Sequence, residues 1–129
     1  MNIEKIKRFR NLDKRGYFFK IMDGNENNLP LSFGEIYVIN CKKLEKRAGH
    51  YHRIAIEWFT PIEGYGELIL INVVTKEKEK IFIDSNFPYS IRIDPYIAHL
   101  IKCNEDSNLI LHAYSSTKYD PKDTIPYKF

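Results

Sequence analysis

Four side chains in this chain have the types and spacing to hold a divalent cation. His50 and His52 are two residues apart, Glu57 follows five residues after His52, and His99 lies far downstream. On an extended strand, a spacing of two points both imidazoles to the same face. The odd spacing to Glu57 would send its carboxylate to the other face, so a bulge or bend around Ile54-Ala55 must re-aim it. Three imidazoles and one carboxylate form the N/O ligand set of a borderline metal, and Zn, Fe, Mn or Ni would each accept it. A pocket in which these histidines serve as polar contacts without an ion is the alternative. Three of the four histidines of the chain fall in this pattern; His112 is the one left over.

The elements that must position these groups read as strands. Arg15–Met22 is a strand closed by the turn signal Asp23-Gly24-Asn25, and residues 33–40 form a second, rich in aromatic and β-branched residues. The His-x-His strand follows a charged connection at 42–46. Residues 57–60 continue it, and 61–66, with its proline and two glycines, reads as a turn. The apolar run 67–74 is a strand covered on both faces, 75–80 is a charged hairpin tip, and 80–84, 90–94, 96–102 and 109–114 are further strands. For residues 1–14 the pattern does not distinguish strand from helix. The tail 115–129 is polar and punctuated by proline. Short strands at this spacing, with no amphipathic helix, define an all-β sandwich or barrel.

The totals set the outer bounds. The chain has 129 residues, 43% of them hydrophobic and 14% aromatic, which suits one globular domain with a single core and argues against disorder. No apolar run approaches the roughly 20 residues of a membrane span, and the charged N-terminus lacks the apolar core of a signal peptide, so a cytoplasmic protein is expected. Two cysteines make no disulfide framework. A net charge of +3 fits an anionic ligand, while the absence of a dense basic patch speaks against nucleic acid.

The order His50-x-His52, Glu57, Gly64, and then a distant Pro95 and His99 resembles the first and second motifs of the cupin superfamily. The second motif departs from the pattern, because no glycine precedes His99 and the proline sits four residues before it. The resemblance implies a double-stranded β-helix, a jelly-roll-like barrel of two Greek-key halves with its ligands in the mouth. Asp13-x-Arg15-Gly16-x-Phe18, Phe33-Gly34-Glu35-Ile36-Tyr37, Arg47-x-x-His50, Tyr114 and Tyr119-Asp120-Pro121 resemble the dTDP-4-dehydrorhamnose 3,5-epimerases. Arg47-x-x-His50-x-His52 with Tyr119-Asp120 is similar to dTDP-sugar 3,4-ketoisomerases. His50-Tyr51-His52, Glu57, His99 and Asp123-Thr124-Ile125 resemble the zinc cupin domain of bifunctional capsular polysaccharide enzymes.

All three families act on 4-keto sugars linked to nucleotides. The resemblance therefore implies a sugar-nucleotide epimerase or ketoisomerase in surface polysaccharide synthesis, with a nucleotide-diphosphate sugar as partner and no organic cofactor. Enolisation beside a ketone needs a base, a stabilised oxyanion and an acid. The resemblance implies His50 as base, Tyr114 as acid, and Arg15, Tyr37 and Arg47 as substrate-binding residues. It also implies a homodimer in which the N-terminal region 1–32 crosses to a partner. If His50 ligates a metal its lone pair is occupied, and another group must take the proton. A metal-dependent cupin dioxygenase or small-molecule isomerase, and a non-catalytic sugar-binding cupin, are the alternatives.

Overall fold

The longest strand in the molecule runs through the stretch that the sequence marks as a turn. The structure, a computed structural model, describes residues 1–31 and 33–129. Ser32, the last position of the expected N-terminal region, lies outside the described residues. In chain order the strands are β1 (Lys5–Lys7), β2 (Asn11–Asp13), β3 (Gly16–Phe18), β4 (Glu35–Cys41), β5 (Lys46–Tyr51) and β6 (Glu57–Asn72). They continue with β7 (Lys78–Asp84), β8 (Tyr89–Ile93), β9 (Ile97–Cys103), β10 (Leu109–Ser115) and β11 (Ile125–Pro126), the last preceded by a 3-10 turn at Pro121–Asp123. No helix among the described residues is long and apolar enough to cross a membrane.

β6 belongs to two sheets. Its first residues pair with β8 on one edge and β10 on the other; its last pair with β7 and β9. β1 extends the first sheet beyond β8, and β4 extends it beyond β10. The second sheet continues from β9 to β5 and then β11. All of these pairings are antiparallel. Together they form the double-stranded β-helix expected from the sequence.

The bend in β6 explains why 61–66 reads as a turn although it stays in the ladder. Pro61 and Glu63 oppose consecutive residues of β10, so Ile62 is the extra residue of a bulge. Gly64 has φ +80°, and a Cβ there would lie 1.7 Å from the carbonyl oxygen of Asn108. Only glycine fits that corner.

Alternation fixes what faces inward. Leu109, Leu111 and Ala113 of β10, Ile91 and Ile93 of β8, Ile81 and Ile83 of β7, and Ile97 and Ile101 of β9 share the core with Phe59, Leu68 and Leu70 of β6. Each large side chain removed from water in this way contributes about 1.5–3 kcal/mol. Tyr37 and Ile39 of β4 pack on the rim of the same cluster.

Other elements depart from expectation for local reasons. The strand expected at Arg15–Met22 shrinks to β3, which pairs with β2 alone as a short hairpin. Residues 73 and 74 leave the strand because the Asn72 side chain accepts the Val74 and Thr75 amides at 2.9 and 3.0 Å, turning the chain early. The N-terminal segment is fastened to the outer face of the first sheet by a buried polar network. Arg8 donates to Ser90 Oγ at 2.9 Å and pairs with Glu26 at 3.2 Å, while Ser90 contacts Thr60 Oγ1 at 2.7 Å and donates to the Ile21 carbonyl.

Candidate metal centre

A bulge in β5 prepares the site. Ala48 and Gly49 both have positive φ, at 68° and 82°, and the register with β9 shifts between Ala48 and His50. The slip leaves His50 directly opposite His99. After Tyr51 the chain leaves the sheet and bends at Arg53-Ile54 before β6 begins at Glu57. That bend is the re-aiming device the odd spacing demands.

The result is convergence. Ring centroids lie 4.9 Å apart for His50 and His52, 4.8 Å for His50 and His99, and 5.6 Å for His52 and His99. One nitrogen from each of the three lies within 4.8 Å of the others. Glu57 Oε2 sits 3.4 Å from His52 Nε2 and 3.2 Å from His99 Nε2.

A second layer sets the direction of each group. His52 Nδ1 donates to the Asp123 carbonyl at 2.7 Å, and His99 Nδ1 donates to the Ile97 carbonyl at 3.1 Å. A carbonyl only accepts, so the proton sits on Nδ1 and the neutral ring turns its Nε2 lone pair into the site. Tyr37 donates its hydroxyl to Glu57 Oε1, leaving Oε2 for the centre. His52 Nε2, His99 Nε2 and Glu57 Oε2 are buried and lack hydrogen-bond partners among the described residues; they approach one another without hydrogen-bond alignment. Orphaned lone pairs and a carboxylate oxygen aimed at one point are what a cation would satisfy.

The electrostatics divide the histidines. Burial pushes His50 down to about 4, helped by the His99 and His52 rings against the pull of Glu57, so its imidazole is neutral at pH 7. Burial alone would raise Glu57, but the contacts with His52 and His99 overcome it and hold the carboxyl below its ordinary range. His52 shows the reverse balance: burial opposes its charge, and Glu57 raises it above the ordinary value. Burial and the Glu57 charge both raise Tyr37, which stays protonated.

The centre opens into a cavity of about 270 Å³, walled by Tyr37, His50, His52 and Glu57 and roofed by the tail from Thr117 to Thr124. His99 lies beneath, fully buried, its ring 5.6 Å from Phe59. The structure does not bring the remaining expected residues here. Arg15 sits in the β2–β3 hairpin, exposed, with its guanidinium on Asp13 at 2.7 Å. Arg47 is exposed and outside the cavity wall. Tyr114 points away, because β10 alternates and turns Ala113 and Ser115 inward; its ring packs 5.4 Å from Trp58 on the outer face. Placing it in the pocket corresponds to a register error of one residue.

Sequence reasoning matched Asp123 and Tyr119-Asp120 to family motifs but gave them no place in the site. Asp123 carries no metal-ligand spacing, and its one signal is the Asp123-Thr124-Ile125 match. Its carboxylate accepts the amides of Arg53 at 2.7 Å, Ile54 at 3.1 Å and Ala55 at 3.0 Å.

Barrel and site together make a cupin-type fold that carries a cluster of three histidines and one glutamate. Residues 11–127 match the family described as "Polysaccharide biosynthesis C-terminal domain", and the chain belongs to that family. Among curated proteins no sequence matches this chain. Solved structures share the fold at low identity. The capsular polysaccharide assembling protein CapF from Staphylococcus aureus superposes with a TM-score of 0.71 at 20% identity, over 95% of this chain and 33% of that one. The chain thus spans about one third of the length of CapF. ChmJ, a 3'-monoepimerase from Streptomyces bikiniensis in complex with dTDP-quinovose, gives 0.80 at 15% identity, covering 95% of this chain and 67% of that one. A dTDP sugar isomerase from Desulfovibrio desulfuricans G20 gives 0.82 at 13% identity, covering 98% and 83%.

Proposed function

We propose that this chain is a metal-dependent cupin that epimerises or ketoisomerises a nucleotide-linked 4-keto-6-deoxy sugar, in the synthesis of a surface polysaccharide. One observation carries the reading: His52 Nε2, His99 Nε2 and Glu57 Oε2, all buried and unpartnered among the described residues, gather with His50 beside a cavity able to admit a sugar ring. His50, His52, Glu57 and His99 would hold the ion. When bound, a divalent ion supplies Lewis acidity toward a ketone oxygen.

With His50 committed as a ligand, the base falls to another cavity group. Glu35, on the inner face of β4 two residues before Tyr37, lines the wall and takes that role in our reading. Tyr119, at the mouth and 68% exposed, replaces Tyr114 as the acid that returns the proton. Tyr37 holds Glu57 through its hydroxyl and so keeps the carboxylate fixed.

Two copies complete the site in this proposal. Leu12, Tyr17 and Phe18 of the β2–β3 hairpin and Ile36 and Val38 of β4 are large apolar side chains left exposed. Covering them against a partner, with the N-terminal region crossing over, would carry Arg15 to the neighbouring cavity and supply a fork for diphosphate oxygens. Cys41 and Cys103 are free, which fits a reducing cytoplasm.

The test is deuterium wash-in beside the ketone, followed by NMR on a dTDP-4-keto-6-deoxy sugar in heavy water. Exchange in the wild type, lost in Glu35→Gln and on chelation, is expected; a wild type that exchanges nothing sinks the reading. A second reading, a metal-dependent enzyme for a small molecule without a diphosphate, is favoured by the wall itself. Glu35, Asp120 and Asp123 face Lys118 as the one cation among its described lining residues. Under that reading dTDP and UDP leave the melting temperature unchanged at millimolar concentration.

A further inference from the structure

We infer that Asp123 is a positioning residue of the metal centre, and that docking of the chain's last segment and uptake of the ion are coupled through it. The inference rests on the metal reading above. Between His52 and Glu57 the backbone turns through Arg53, Ile54 and Ala55, and three successive amide donors leave the ladder together. The Ala55 amide is buried and needs an acceptor, because an unmet buried amide costs as much as a lost hydrogen bond; those of Arg53 and Ile54 are half-buried beside it. One carboxylate answers all three: Asp123 Oδ1 takes Arg53 and Ile54, and Oδ2 takes Ala55, within 2.7–3.1 Å. The carboxylate is thereby committed, and Asp123 is buried, at 7% exposure.

The same residue reaches the centre by a second route. Its main-chain carbonyl accepts the His52 Nδ1 proton at 2.7 Å and so sets the direction of the Nε2 lone pair. The segment around it is anchored to the strand that carries His50: Ile125 and Pro126 pair with Tyr51 and His50, and the Tyr127 amide donates to the Gly49 carbonyl at 2.9 Å. His52 and the stretch leading to Glu57 are therefore held by contacts that Asp123, more than sixty positions downstream, closes, and the residues just after it pair with the strand of His50. A group that fixes ligand orientation raises metal affinity, typically by 10–100-fold. Linkage makes the effect mutual: an ion bound more tightly by the docked tail must hold the tail docked more tightly by the same factor.

Asp123→Asn is the informative substitution, since it keeps the size but presents an amide N–H₂ to backbone donors. Purified wild type and variant are stripped with chelator, compared by circular dichroism, and titrated with Zn²⁺ and Co²⁺ against a competing chelator. The expected result is affinity weakened by about 10–100-fold, with a changed Co²⁺ absorption spectrum at saturating metal. Lys122→Ala, exposed on the same turn, should bind as wild type. Equal affinity and spectrum in wild type and Asp123→Asn overturn the inference, as does weaker binding with an unaltered saturated spectrum, which marks a purely structural role. A second measurement needs no variant. Zn²⁺ should slow hydrogen exchange at the amides of Arg53, Ile54, Ala55 and Tyr127, and unchanged rates with the ion bound overturn the coupling. A wild type that takes up no ion sinks the metal reading and this inference with it, whereas normal uptake by both proteins sinks this inference alone.

Discussion

Tyr37 and Glu57 meet through one carboxylate oxygen while the other faces His52 and His99. The two residues come from strands that never pair with each other: β4 and β6 are both neighbours of β10. The tyrosine therefore fixes the carboxylate across the gap between them. Tyr37→Phe removes the hydroxyl and leaves Glu57 Oε1 buried without its donor. A hydrogen bond to a charged group is worth about 1.5–3 kcal/mol, and chemical denaturation of the chelated protein should show a loss in that range. A loss under half a kilocalorie would show that the hydroxyl does not hold the carboxylate.

The acid side of the stability profile should be steep in the metal-free protein. His50 is held at about 4 in the folded chain by burial and by its neighbours, against an ordinary 6.5. The unfolded chain thus binds the proton first, and stability falls as the pH drops from 6.5 toward 4. Glu57, held below its ordinary value, has the same sign at lower pH. His52 is raised, so the stability it contributes is full below 6.5 and fades as the pH climbs through its folded value. Melting temperature against pH, with chelator present, should peak near 6.5. A flat profile between 6.5 and 4 contradicts this balance of groups.

The corner of β6 admits no side chain at position 64. Gly64→Ala forces a Cβ against the Asn108 carbonyl and strains a left-handed backbone. Strain of that kind costs about 1–3 kcal/mol before the clash is counted. Urea unfolding should show a larger loss than for alanine placed at Gly24, where nothing lies within 4 Å of the added carbon and a positive φ is shared. Equal losses at the two positions would mean that the close approach at the corner relaxes freely.

The N-terminal segment is fixed by a buried ion pair. The side chains of Arg8 and Glu26 are 5% and 1% exposed. Arg8→Ala takes the cation from a buried carboxylate that keeps the Asp23 and Gly24 amides as donors, and removing one partner of a buried pair costs up to about 3–5 kcal/mol. Limited proteolysis should then cut between residues 20 and 31 well before the barrel. Cleavage as slow as in the wild type would show that Ser90 and Thr60 hold the segment without Arg8.

Burial also governs the thiols. It pushes Cys41 up to about 11, with Cys103 adding to the shift. A thiol-specific disulfide reagent at pH 8 should leave Cys41 unmodified in the folded protein and react with it after denaturation. Fast native labelling would place this thiol at the surface.

Much of the site could be read from the chain because metal-ligand spacing is local information. His50-x-His52 lies on one short stretch, and the odd step to Glu57 already required the bend that the structure shows at Arg53-Ile54. His99 was legible through its distance and its proline despite the missing glycine. What the sequence conceals depends on contacts between distant parts. The bend at 61–66 carries every local signal of a turn, and only its ladder with β10 shows that the strand continues. Tyr114 is misplaced by a single step of alternation, which no composition reveals. Asp123 acts through backbone amides, and amides have no identity in a sequence.

Because β6 contributes to both sheets, every neighbour it has arrives later in the chain, from β7 at Lys78 to β10 at Ser115. During synthesis Phe59, Leu68 and Leu70 must wait uncovered while roughly the second half of the polypeptide emerges. The topology therefore has a high contact order, which slows closure of the barrel.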